Sequence, residues 1–211
     1  MLEKIKKASL ADWVLIISSG LLITGLCYQF GYYGTVGLQS PWIINLLGTK
    51  ELFISNLGLC ILYAIAALYL SSYVEEQTKE RLIELAVLAN IVLIAIILVV
   101  IVEDKRINNI VDCISIFLAF NSFLIVLKQG YYLKIIGVIV LFLVIPFLKG
   151  VADIQTSISE KQFNAVKLAK SEQEWFLVNT FGDKAVLVDS YEKSRKVKVV
   201  EIKELEFVQT Q

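Results

Sequence analysis

Histidine is missing from all 211 residues, which removes the commonest acid–base group and the commonest metal ligand from any mechanism. Intramembrane serine hydrolysis loses its usual base, and zinc peptidases of the HExxH type lose their ligands. Cysteine is scarce. Cys27, Cys60 and Cys113 all lie in apolar runs, so a disulfide framework is excluded for the polar C-terminal part. Lys+Arg and Asp+Glu number 20 each, so no net charge draws the chain to nucleic acid. No phosphate-binding glycine-rich loop precedes a helix, and no cofactor or metal is expected. Intramembrane aspartyl proteolysis needs two opposed aspartates, and only Asp112 lies credibly within a span. These absences point to a non-enzymatic protein.

Apolar sequence is what the chain has in abundance. It is 57% hydrophobic and 19% charged, with mean hydropathy +0.70, which is far from a soluble average. The run 85–102 (LAVLANIVLIAIILVVIV) is apolar all round, whereas a soluble helix of this size buries one stripe. At about 1.5 Å per residue, 82–102 covers the roughly 30 Å hydrocarbon core of a bilayer. The N-terminal MLEKIKK and its apolar sequel imitate a signal peptide. The run continues past Gly20 without a small-x-small cleavage site, so an uncleaved first span is expected.

Charge is sparse before Lys149 and dense after it, which divides the chain. The fold expected is an all-α polytopic membrane helix bundle of five spans over 1–149, followed by a small α+β tail. The spans are 12–30, 53–74, 82–102, 109–127 and 131–148. A connector helix over 150–174 leads to a three-stranded antiparallel β-meander over 175–211. Its strands are read at 175–181, 184–191 and 195–203, with Gly182-Asp183 as a tight hairpin turn. So small a meander is marginal alone and needs support from the connector, the bundle or other subunits. The short loops between the second and fifth spans make those helices antiparallel neighbours. Between the first two spans, glycines break the helix and Pro41-Trp42 begins an interfacial cap.

Orientation follows from basic residues. With the N-terminus in the cytoplasm, the inner segments hold Lys4, Lys6, Lys7, Lys79, Arg81, Lys128 and Lys134, seven against the outer Lys50, Lys105 and Arg106. The expected location is the plasma (inner) membrane of a bacterial cell. Five spans put the tail outside, a result that depends on the polar fourth segment.

Two sets of intramembrane residues are candidates. Asn56, Cys60, Ala64, Ala67 and Ser71 form a stripe on the second span, a helix-packing face that lets a neighbour approach closely. Asp112, Ser115 and Ser122 share a face of the fourth span with Asn121 beside it, and Lys105 or Arg106 is the expected partner of Asp112. Pro146 removes a backbone hydrogen bond near the end of the fifth span and can kink it. The leading functional reading is a scaffold, sensor or anchoring subunit. It assembles as a homo-oligomer or with a membrane-complex partner and presents the tail. The alternative is a small oligomeric transporter or channel whose path the fourth span lines.

Overall fold

The computed structural model describes residues 10–34, 36–103, 106–128, 130–168, 173–192 and 195–209. Helix α1 (Leu10–Tyr33) leads through a 3₁₀ turn (Pro41–Leu46) to α2 (Thr49–Ser55) and α3 (Leu57–Glu76). Helices α4 (Lys79–Glu103) and α5 (Ile107–Lys128) follow, then α6 (Tyr131–Ile139), a π turn (Val140–Val144) and α7 (Ile145–Ser159). Three helical stretches are long and apolar enough to cross a membrane: Ile83–Glu103, Ile107–Leu127 and Tyr131–Ser159. Thr49–Ser55 and Leu57–Leu70 form a fourth if the 47° bend between them lies within one span. The sequence expectation of five spans is therefore matched by three on length and composition alone. The first of the five falls in α1, whose opening side chains lie outside the described residues.

Helices α1 and α7 run in the same direction and make the most extensive helix–helix contact of the bundle. A Cβ at Gly31 would stand 2.1 Å from the Phe147 carbonyl oxygen, and one at Gly150 would stand 2.1 Å from that of Tyr28. Only glycine on both helices permits this approach, which gives dispersion and close packing where lipid supplies no hydrophobic force. Gly25 plays the same part toward the Leu52 backbone of α2. The π turn precedes Pro146, the second residue of α7, and the Ile145 N–H donates to the Val140 carbonyl. Such a wide turn accommodates a proline ring that would otherwise strike the preceding turn. Pro146 thus sits inside one long continuous helix rather than at its end.

Helices α3 and α4 depart from the expected side-by-side packing. Joined by Gln77 and Thr78, they diverge, and among the described residues α4 packs mainly against α5. None of the apolar window of α4 is buried in the protein. A short loop dictates direction, but contact between apolar helices in lipid also needs small or polar groups on both faces.

The tail differs from the expected meander in strand number and in where it begins. Helix α7 ends at Ser159, so the connector is helical only over its first part. Lys161 (φ 52°) occupies the left-handed position that follows the helix, the Gln162 N–H donates to the Ser157 carbonyl, and the Lys161 N–H to that of Ile158. The chain then enters β1 (Asn164–Leu168) where the connector helix was expected. Strands β2 (Glu174–Phe181), β3 (Lys184–Val188), β4 (Val197–Glu201) and β5 (Leu205–Gln209) complete a five-stranded antiparallel sheet in the order β4-β3-β2-β1-β5. Gly182 (φ 58°) makes the predicted β2–β3 turn.

That order forces curvature. Edge strands β4 and β5 are joined by a single 3₁₀ turn, Ile202–Glu204. A link of this length reaches about 14 Å, whereas the edges of a flat five-stranded sheet stand roughly 19 Å apart. Bulges at Val178 in β2 and Glu206 in β5 supply the bend. Inside the curl, Val166, Leu168, Trp175, Ala185, Leu187 and Val200 bury one another without help from any helix. The outer face carries Phe181, Val186 and Val188 onto Tyr33, Leu38, Ile43 and Ile154, which are the ends of α1 and α7 and the 3₁₀ turn between. The tail is therefore a half-open barrel, a curled five-stranded sheet whose edges β4 and β5 do not pair with each other among the described residues, with its own core and seated on the helix ends.

Gly150→Val should cost at least about 3 kcal/mol, the upper end of overpacking penalties, because backbone rather than a side chain must move. Gly20→Ala, where a Cβ meets nothing within 4 Å, should be neutral or slightly stabilising. Thermal unfolding in detergent checks both. In the same assay Lys161→Gly should stabilise by about 1 kcal/mol, by relieving the left-handed backbone.

Candidate functional site

The polar face expected on the fourth span belongs to α5, and its members meet three different neighbours. Asp112, in the second turn, accepts a 2.9 Å ion pair from Lys149 of α7. The expected partner was an adjacent residue, Lys105 or Arg106, and Lys105 lies outside the described residues. The partner supplied comes from 37 positions away, because α7 passes beside the start of α5. Lys149 also reaches Asp153 at 3.2 Å, and the Tyr28 hydroxyl of α1 donates to Asp153 at 2.8 Å. One lysine, two carboxylates and a phenol thus tie α1, α5 and α7 together just below the barrel. Lys149 and Asp153 are about two-thirds buried, with side-chain exposures of 32% and 27%.

Asn121 turns the other way. Its amide and that of Asn90 on α4 exchange two hydrogen bonds, at 3.0 and 2.7 Å, and Asn121 also donates to the Phe117 carbonyl at 2.8 Å. Ser122 is buried beside Gly137 of α6, where a Cβ would stand 3.0 Å from its carbonyl. The Ser115 hydroxyl is buried with no hydrogen-bond partner. Ala119, between the two serines, packs onto the cluster of Tyr63, Phe123, Leu141 and Ile145.

The small-residue stripe is also divided. Asn56 stands at the break between α2 and α3 (φ −130°, ψ 15°), buried, and donates to the Thr24 carbonyl of α1 at 3.3 Å. Thr24 itself donates to the Gly20 carbonyl at 2.7 Å. Cys60, Ala64 and Ala67 line a cavity between α1, α3, α5 and α6. The side chain of Ser71 lies outside the described residues. Sequence reasoning missed Tyr28, Lys149 and Asp153, which the domain boundary at Lys149 had separated. The i,i+4 spacing of Lys149 and Asp153 on one helix was the available signal.

In the barrel, the Trp175 ring lies 5.6 Å beneath the Lys198 ammonium, and its indole N–H is buried without a partner. Burial lowers the Arg195 guanidinium from its ordinary value, and its Nε and Nη1 have no acceptor. The Tyr191 hydroxyl donates to the Phe163 carbonyl, and burial raises its pKa. Among the described residues no three His, Cys, Asp or Glu side chains converge to hold a metal. The chemistry this arrangement supports is helix association through paired polar groups. The chain matches no protein-family model, no curated protein and no solved structure.

In detergent, Asn90→Leu and Asn121→Leu should each destabilise the protein, and the double variant should regain part of the loss. The coupling should be about 0.6 kcal/mol and no more than roughly 1.7. Lys149→Met should cost more than Asp112→Asn, about 1–2 kcal/mol, because it orphans two carboxylates in a half-buried site. Chemical unfolding of the purified variants reads both.

Proposed function

We propose that the chain is a five-span plasma-membrane protein with a non-enzymatic role. It is a scaffold or anchoring subunit that holds its small barrel at a fixed place on the bilayer surface for a partner subunit or a second copy. The observation that carries this reading is the core shared by barrel and bundle, in which Tyr33, Leu38, Ile43 and Ile154 bury against Phe181, Val186 and Val188. The Tyr33 hydroxyl also accepts a 3.2 Å bond from Asn179. A module mounted this way keeps one orientation, as presentation to a partner requires. A module on a flexible linker would not.

The pairing of Asp112 with Lys149 and of Asn121 with Asn90 weighs against the transporter alternative. It leaves that face of α5 with the two serines as its free polar groups. Helix α1 follows the lysine-rich N-terminal segment and finishes at the barrel, which with the positive-inside rule supports an outside position for the barrel.

Asp183→Cys at the barrel's hairpin, in a chain with its three native cysteines replaced by alanine, tests this placement. A membrane-impermeant maleimide should label it in intact cells, and labelling only after permeabilisation would contradict five spans. Purified protein in liposomes should pass no more ions than empty vesicles. A flux that Asp112→Asn abolishes would favour the transporter.

A further inference from the structure

The cavity beside α3 has a volume of about 760 Å³ and opens on one side to the surface of the bundle. Gly20 of α1 forms one wall and Cys60, Ala64 and Ala67 of α3 another, with Phe123 and Leu141 among the apolar residues closing the remainder. Small residues on opposed helices ordinarily bring backbones together. Here they face each other across space, and a Cβ added at Gly20 would meet nothing within 4 Å. The separation has a visible cause. The chain bends by 47° at Asn56, whose side chain is anchored to the Thr24 carbonyl, and α3 leans away from α1 beyond that point.

A void of this kind in a membrane has few fillings. Water needs two to four polar partners, and the walls are almost wholly apolar. A helix from a second copy, about 10 Å across with its side chains, would leave most of its surface outside a cavity of this volume. A hydrocarbon chain meets the requirement, because it is slender, unbranched and already present as solvent. Filling also restores the dispersion contacts that an empty cavity forfeits.

We propose that this cavity is a binding site for the hydrocarbon chain of a bilayer lipid, held between α1 and α3 by the bend at Asn56. The site rests on the reading of the chain as a membrane protein. It adds a ligand to the bundle, and the scaffold role does not require it.

Native mass spectrometry of the full-length protein, purified in mild detergent with dioleoylphosphatidylglycerol added, reads the occupancy. The wild type should retain one lipid per chain. Gly20→Leu combined with Ala64→Phe fills the cavity from both walls and should lower retention at least tenfold, with the thermal midpoint at or above that of the wild type. If that pair does not fold, Gly20→Val alone should lower retention in the same direction. Tyr63→Phe removes a buried hydroxyl from the lining and should change nothing, because a hydrocarbon chain makes no hydrogen bond. Leu88→Phe on the exposed surface of α4 should likewise leave retention unchanged.

Equal retention in the filled variant would overturn the proposal, as would an equal loss in Leu88→Phe or a loss in Tyr63→Phe. A wild type that sediments with membranes yet retains no lipid refutes the site alone. A chain left in the supernatant after membranes are pelleted refutes the membrane reading instead.

Discussion

The backbone approach of α1 and α7 at Gly31 and Gly150 is the contact from which the remaining architecture follows. In lipid, apolar side chains gain little by touching each other rather than acyl chains, so helices associate where backbones meet closely or polar groups pair. Here both occur within two turns. The glycines bring the helices together, and Tyr28, Asp153 and Lys149 then lie close enough to join them and to capture Asp112 of α5. Beyond the same contact, the Gln155 amide donates to the Val36 carbonyl, and Tyr33 and Ile154 form the floor on which the barrel rests.

Polar groups are few in this bundle, and most have found one another. Asn90 and Asn121 form a reciprocal amide pair that attaches an otherwise unaccompanied helix, α4. Without that pair, little in the sequence of α4 distinguishes a protein neighbour from lipid. On the other side of α5 the bend at Asn56 has the opposite effect, holding small residues apart that would otherwise pack. Attachment and separation are thus set by three asparagines, Asn56, Asn90 and Asn121, more than by the long apolar surfaces around them.

The long apolar runs made the helices legible in the sequence, and the turn at Gly182-Asp183 was legible because a tight hairpin demands that chemistry. The fate of Asp112 was not, because its partner lies on a helix whose position no local pattern reveals. Strands β1 and β5 were missed for a related reason. Val166-Lys167-Leu168 does alternate, but the stretch is short, and Ile158, Phe163, Val166 and Ala169 also fit a helical stripe. What settles the matter is pairing between β1 and β5, some forty residues apart, which exists only once the sheet has curled. The divergence of α3 and α4 was hidden because a two-residue loop fixes direction and says nothing about contact.

The account stands on α1 and α7 being held together along the ends that carry the barrel. Cysteines at Val36 and Gln155, in a chain whose native cysteines are replaced, measure this through a short thiol–thiol crosslinker applied to intact membranes. Rapid and nearly complete cross-linking within single chains is the result predicted, with little change after transfer to detergent. Cross-links confined to pairs of chains, or none at all, would contradict it.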